Sequence, residues 1–144
     1  MNTEILAITE DMLFKSMNKE RMKMGRRGLS RSKLLRRASR AHSVQMARDA
    51  DLVHSKDLAG VMGRRSWSSL GENIGVAAYG EVISPHNGEL LSVITEEDAA
   101  GFLHEAWMQS DDHRHNILKR NYRRAGIGVV ASDNRSWATV IFWA

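Results

Sequence analysis

The chain has 144 residues, of which 42% are hydrophobic, a size that suits one globular domain. It contains no cysteine, which excludes disulfides, thiolate metal sites and cysteine nucleophiles, so histidine and carboxylate groups must carry any site chemistry. Its uncharged apolar runs fall short of the ~20 residues of a transmembrane helix, so we expect a chain that is not membrane-spanning. Residues 1–13 lack the basic start and long apolar stretch of a secretory signal, so no export signal is visible.

The net charge of +4 is unevenly distributed. Residues 1–65 hold 15 Lys and Arg against 7 Asp and Glu, whereas residues 66–144 hold 6 against 10. We interpret the basic run in the first half as a solvated helical face; an alternative is contact with an anionic envelope surface. No aromatic residue interleaves the run to stack on bases, so a nucleic-acid partner is not expected. The run comprises Lys23, Arg26, Arg27, Arg31, Lys33, Arg36, Arg37 and Arg40.

Apolar residues at helical spacing predict two helices in the first third of the chain. The first covers residues 9–24, with its start signal at Thr9 and Asp11. The second has Ser30 or Ser32 as its N-cap and ends near residue 50. Their apolar faces are expected to lie in the core.

Glycine and serine predict loops between residues 54 and 80 around an extended piece at 73–78. Residues 80–95, which include Pro85, are expected to be an excursion of variable length. Thr95 with Asp98 resembles a capping box and predicts a third helix to about residue 108. A short helix over 111–118 follows Ser110, and β-rich runs at 125–130 and 137–143 predict a hairpin.

Three residues stand out as candidates for site chemistry: His54, Glu72 and His113. None of the six histidines lies in an HExxH sequence, which argues against a zincin protease. His113 falls near the N-terminus of the short helix, where a neutral imidazole could bind metal or accept a proton, or could merely help to cap the helix. His54 could simply sit near a helix C-terminus, and Glu72 lies between glycines that suit an inward polar group.

Five short motifs in this order resemble the CAP superfamily, the SCP-like domains of cysteine-rich secretory, antigen 5 and pathogenesis-related 1 proteins. The resemblance is to the bacterial, cysteine-free branch, with a motif-bearing core at about 13–143 in a single domain of residues 1–144. The motifs are Leu52-Val53-His54-Ser55, Gly71-Glu72-Asn73-Ile74, Ala106-Trp107-Met108-Gln109-Ser110, His113-Arg114-His115-Asn116-Ile117-Leu118 and Ala125-Gly126-Ile127-Gly128-Val129.

The resemblance implies an α+β fold, an α-β-α sandwich with a small, mainly antiparallel sheet between helical layers. It also implies a secreted protein with a polar cleft that contains His54, Glu72 and His113, with Asn73 and Ser110 beside them. Many eukaryotic members carry a second acid where this chain has Ser110. The second cleft acid is therefore Glu105, Asp111 or Asp112, or is absent.

Two functions fit these residues. The first is a non-enzymatic binding domain for a divalent metal, a peptide or a lipid, in which His54 and His113 hold zinc or another divalent cation. The second is a zinc- or His/Glu-dependent hydrolase, directed at peptides or cell wall, with Glu72 as general base. The serines lie in no Gly-x-Ser-x-Gly elbow, so catalysis is the less favoured alternative.

Overall fold

The computed structural model describes residues 2–144, in which helices and strands are joined by loops. No helix in this range is both long and apolar enough to cross a membrane. In chain order the elements are β1 (Glu4–Ile5), α1 (Ala7–Lys23), β2 (Ser30–Arg31), α2 (Lys33–Asp49), α3 (Leu58–Met62), β3 (Leu70–Ala78), β4 (Gly80–Ile83), β5 (Leu90–Ile94), α4 (Glu96–Gln109), α5 (Asp111–Leu118), β6 (Arg124–Ser132) and β7 (Arg135–Trp143).

The main sheet is built on the hairpin of β6 and β7. Asp133 and Asn134 close it with positive φ values of 51° and 60°, the conformation that a two-residue type I′ turn requires. The strand order is β1-β6-β7-β3, and β2 pairs in parallel with β6 beside β1. Because β3 lies antiparallel to β7 at the end of this order, it is an edge strand.

Helices cover both faces of this sheet, and alternate residues of each strand point to opposite layers. Ile127 and Val129 pack with residues of α1 and α4, whereas Val130 packs with α2. The same alternation continues along β7, where Val140 joins the first cluster and Ile141 packs on Leu35 of α2. The result is an α+β fold, with the α-β-α sandwich that the family resemblance implied.

Helix α2 lies directly on β6 at two glycines. A Cβ on Gly126 would come within 2.1 Å of the backbone nitrogen of Arg36, and one on Gly128 would come equally close to that of Arg40. Small side chains one helical turn apart complete the contact: Ser39 Oγ donates to the Gly126 carbonyl at 2.9 Å, and Ser43 Oγ donates to the Gly128 carbonyl at 2.8 Å. Helix and strand therefore touch backbone to backbone.

A partly buried ion pair between Glu10 of α1 and Arg40 of α2 lies against the same strand. Both carboxylate oxygens of Glu10 accept from the Arg40 guanidinium, at 2.8 and 2.6 Å, and Glu10 Oε2 also accepts from the Val129 N–H at 3.0 Å. Arg31 likewise pairs with Asp11. Two members of the basic run thus hold acids of α1, while Lys33, Arg36 and Arg37 are exposed on α2.

Sequence reasoning located most helices but missed several short elements. The Ser32 cap of α2 and the reciprocal Thr95–Asp98 capping box of α4 are confirmed. The predicted start of α1 at Thr9 is wrong: the helix begins at Ala7, and the Thr9 hydroxyl instead donates to the Glu96 carbonyl at 3.0 Å. Residues 80–94 form the hairpin of β4 and β5, and β1, β2 and α3 are too short to leave a periodic signal.

Two Gly→Ala changes, one in the contact between α2 and β6 and one at an open position of α4, should have opposite effects on stability. Gly126→Ala should lower the free energy of unfolding by about 3 kcal/mol or more, because the new methyl group meets helix backbone that cannot move independently. Gly101→Ala in α4 meets nothing within 4 Å and should raise it by about 0.5–1 kcal/mol. Urea unfolding of both variants measures the difference; equal stabilities would contradict the close packing.

Candidate functional site

The candidate site lies on edge strand β3, where two consecutive polar residues point to opposite layers. Glu72 faces the α2 layer together with Ile74, which packs on Met46 and Ala47. Asn73 faces the other layer and contacts α5. Both side chains are buried, although β3 is at the rim of the sheet. The strand therefore joins the two helical layers at this edge.

Glu72 is held by three donors from the loop after α2. Glu72 Oε1 accepts from His54 Nδ1 at 2.8 Å and from the Ser55 backbone N–H at 2.8 Å. Glu72 Oε2 accepts a short hydrogen bond from the Ser55 hydroxyl. The Glu72 side chain is 3% exposed, whereas that of His54 is 61% exposed. The carboxylate is therefore enclosed, and its bond to Nδ1 leaves His54 Nε2 directed away from Glu72.

His113 reaches the same region from the opposite layer. It occupies the third position of α5, as its spacing from Ser110 predicted. Burial lowers the pKa of His113 below its ordinary value, the positive charge of His54 lowers it further, and the Asp112 carboxylate acts in the other direction. Its Nδ1 is buried and has no hydrogen-bond partner among residues 2–144. His113 is thus a neutral imidazole at neutral pH, within electrostatic reach of His54.

Two asparagines fix the backbone of α5 to β3. Asn73 Nδ2 donates to the His113 carbonyl at 3.0 Å. Asn116 Nδ2 donates to Asn73 Oδ1 at 3.0 Å and to the Glu72 carbonyl at 3.3 Å. These bonds determine where the N-terminal turn of α5, and with it His113, meets the strand.

The far end of α5 is anchored by a fully buried arginine. Arg21 of α1 donates to the carbonyls of Ile117, Lys119 and Tyr122 at 2.8–3.1 Å, and its Nε donates to the Arg27 carbonyl at 2.8 Å. The last carbonyls of a helix have no partner within the helix, so the guanidinium satisfies groups that burial would otherwise leave costly. No local sequence signal indicates this role of Arg21.

Glycines on either side of Glu72 and Asn73 admit two large aromatic rings. A Cβ on Gly71 would lie 2.2 Å from the Tyr122 hydroxyl oxygen, and one on Gly75 would lie 3.1 Å from Trp107 Nε1. Trp107 Nε1 donates to the Ile74 carbonyl at 2.9 Å, which binds α4 to the strand. The spacing of glycines in Gly71–Gly75 is thus explained by the packing of α4 and the residues after α5.

The candidate second acids lie in different surroundings. Glu105 is exposed on α4, where it accepts from Gln109, and Asp111 pairs with Arg114 at 3.0 Å. Asp112 is the one whose charge acts on His113. Ser110 lies between α4 and α5 at the predicted N-cap position, but its hydroxyl makes no capping bond, so its place in the cleft stays a prediction.

The two histidines and Glu72 do not form a ready-made set of metal ligands. No group of three or more His, Asp or Glu residues within 2–144 is arranged to hold a metal ion. Both Glu72 oxygens already accept hydrogen bonds from the chain, whereas the His54 side chain is exposed and Nδ1 of His113 has no partner among residues 2–144. Sequence reasoning missed the roles of Ser55 and Asn116; their positions beside His54 and His113 in the motifs were the only signal.

The chain belongs to the cysteine-rich secretory protein (CAP) family, whose model matches residues 14–143. Solved structures of the same fold include an outer surface protein of Borrelia burgdorferi, at 11% identity and a TM-score of 0.77, covering 99% of this chain and 96% of that one. A cysteine-rich secretory protein of Staphylococcus aureus is 17% identical, with a TM-score of 0.65. The alignment covers 95% of this chain and 38% of the Staphylococcus aureus chain.

NaASP2, whose crystal structure was determined with Zn2+, is 12% identical, with a TM-score of 0.63. The alignment covers 93% of this chain and 78% of the NaASP2 chain. At these identities the likeness shows the fold alone. No curated protein matches the chain.

The pKa of His113 provides a direct test of the site geometry. His54→Ala removes a positive charge, so the pKa of His113 should rise toward its ordinary value. Titration of the imidazole C–H signals by NMR measures this. His104 is an internal control, because its pKa is lowered by burial with no contribution from His54 and should not move. An unchanged His113 signal would show that the two rings are not electrostatically coupled.

The same lowered pKa predicts how stability depends on pH. The unfolded chain binds a proton at His113 more readily than the folded chain does, so this residue destabilises the fold as the pH falls below about 6.5. His113→Gln should therefore reduce the loss of unfolding free energy between neutral and mildly acidic pH, measured by urea unfolding at each pH. An identical pH profile in the variant would contradict this assignment.

Proposed function

We propose that residues 1–144 act as a single non-enzymatic binding domain whose ligand contacts the exposed imidazole of His54 and the neighbouring imidazole of His113. The observation that supports this most is the engagement of Glu72: three donors from His54 and Ser55 occupy its two oxygens. The acid therefore serves to orient an imidazole. The groups that the chain leaves for a ligand are the imidazoles.

The hydrogen bond to Glu72 fixes the orientation of the His54 ring and, when the ring is neutral, its tautomer. A carboxylate that accepts from Nδ1–H holds the neutral ring in the tautomer with a free lone pair on Nε2. Since the His54 side chain is 61% exposed, a ligand can reach that nitrogen. His113 contributes a second imidazole. Burial lowers its pKa, so near pH 7 the ring is neutral and one of its nitrogens has a lone pair.

A divalent cation such as zinc fits this pair of nitrogen donors. Imidazole nitrogen is a preferred zinc ligand, and a histidine that binds metal commonly donates its other N–H to a carboxylate, as His54 does to Glu72. Two protein ligands leave coordination positions for groups of the ligand itself, such as a peptide carboxylate. The crystal structure of the structural neighbour NaASP2 was determined with Zn2+, which makes zinc the first cation to test. A bound cation would supply positive charge that attracts an anionic ligand group.

The alternative of a His/Glu-dependent hydrolase has less support. A general base must have lone pairs directed at water, and Glu72 already accepts three hydrogen bonds and is enclosed by the loop at 54–55. The Ser55 hydroxyl donates to the carboxylate and is not paired with an imidazole that could remove its proton. A polar site of this kind also favours a peptide or other polar ligand over a lipid.

A secreted location is part of the proposal. The matched family is named for secretory proteins, and the neighbours include an outer surface protein and a secretory protein of bacteria. Outside the cell, the exposed basic side chains of α2 would contact anionic envelope polymers. These side chains are Lys33, Arg36 and Arg37.

Calorimetric titration of zinc tests the proposed donors. Wild type should bind zinc, His54→Ala and His113→Ala should each lose at least about tenfold in affinity, and Glu72→Gln should lose about 10–100-fold because it no longer orients His54. His86→Ala, an exposed histidine in the turn between β4 and β5, is the matched control and should bind as wild type does.

Equal zinc affinity in wild type and the double variant of His54 and His113 would remove the metal from the proposal. Peptide, ester and cell-wall substrates test the alternative with the same proteins. Turnover by wild type that is abolished in Glu72→Gln and in both histidine variants would replace the binding function with hydrolysis.

A further inference from the structure

The hairpin of β4 and β5 exposes large apolar side chains that the rest of the molecule does not cover. Ile83, Leu90, Leu91 and Val93 are each more than half exposed. The two strands form a separate sheet of their own, outside the main sheet. A two-stranded sheet is marginally stable in water, and a contiguous exposed apolar surface commonly marks an interaction site.

The outer edge of β4 is already in contact with the body of the protein. Asn134, in the turn of the main hairpin, donates from Nδ2 to the Glu81 carbonyl at 2.8 Å and accepts at its own carbonyl from the Tyr79 N–H at 3.0 Å. No other strand among residues 2–144 pairs with β5 on its outer side. The free edge of this small sheet therefore belongs to β5.

The register of the hairpin identifies backbone groups on that free edge. Glu81 and Val93 are directly opposite each other. Since the Glu81 carbonyl points away from β5 to meet Asn134, this is a non-hydrogen-bonded pair, and the Val93 N–H and C=O also point outward. A third strand laid along β5 would find both groups directed at it.

The charge around β5 has one sign. Residues 66–113 contain nine Asp and Glu and no Lys or Arg. Glu89 immediately precedes β5, Glu81 is in the adjacent strand, and Glu96, Glu97 and Asp98 follow at the start of α4. The apolar edge is thus flanked at both ends by acids that form no salt bridge with another of residues 2–144.

We propose that β5 is a docking edge for an extended segment of a partner protein, which adds a third strand to this sheet. The segment has apolar side chains that cover Leu91 and Val93, and basic residues at its ends that face the acids flanking β5. Backbone pairing supplies affinity in this mode of recognition, and the side chains and flanking charges supply selectivity.

The acids argue against the other occupants of such an edge. Antiparallel pairing of two β5 strands from two copies of this chain would bring Glu89 of one copy near Glu96 of the other. An anionic lipid surface would meet the same repulsion. A basic-flanked strand is the occupant that the charges favour.

The experiment uses two fluorescein-labelled peptides, each with five alternating Val and Thr residues, flanked by Lys pairs in one and Glu pairs in the other. Fluorescence anisotropy should give a dissociation constant below about 1 mM for the Lys peptide, and the Glu peptide should bind at least tenfold more weakly. The affinity of the Lys peptide should fall as salt is raised, because the flanking charges are exposed.

Two changes at one position test the edge itself. Val93→Pro removes the outward N–H without removing a hydrogen bond to β4. It should lower the affinity for the Lys peptide at least tenfold. Val93→Thr keeps the N–H and a β-branched side chain and should bind within about threefold of wild type. Thermal unfolding and circular dichroism confirm that both variants remain folded.

Three results would overturn the proposal. The first is no binding of the Lys peptide at 1 mM, roughly the weakest affinity expected of such a site. The second is equal binding by both Val93 variants, which would place the peptide elsewhere. The third is a dimer of wild type in analytical ultracentrifugation that Val93→Pro dissociates, which would assign the edge to a second copy. The zinc titration of His54 and His113 is independent of all three.

Discussion

The direct contact of helix backbone with strand backbone determines how closely the layers of this fold can approach. Gly126 and Gly128 let α2 lie on β6 where any larger residue would clash with the helix at about 2.1 Å. Once α2 is at that distance, Ser39 and Ser43 can reach strand carbonyls that already belong to the sheet. The position of the loop after α2, which carries His54, follows from this contact.

The candidate site is formed by adjacent strand residues that point to opposite layers. Glu72 holds His54 on the α2 side, and Asn73 holds the His113 carbonyl on the α5 side. Since β3 is the edge strand, the two layers meet around its rim, and the charge of one histidine reaches the other. A dipeptide in a strand of alternating side chains thus joins two helical layers into one site.

The sequence predicted the parts of the structure that depend on local signals. The capping box at Thr95 and the hairpin of β6 and β7 depend on local signals, and both are where the sequence indicated. The family resemblance supplied His54, Glu72 and His113, which local spacing supported only weakly. The buried role of Arg21 could not be predicted, because its partners lie about a hundred residues away in sequence.

A polar side chain that stabilises the fold has its hydrogen bonds satisfied within the chain, whereas one that contacts a ligand has a group left without a partner. Burying an unpaired polar group is costly, so groups paired within the chain, such as the Glu72 carboxylate and the Asn73 amide, are accounted for by stability. The buried Nδ1 of His113 and the outward Nε2 of His54 are not accounted for in this way. Removal of the Ser55 hydroxyl would therefore act on the proposed ligand only through Glu72 and His54, whereas replacing either imidazole would remove a group that this ligand is proposed to contact.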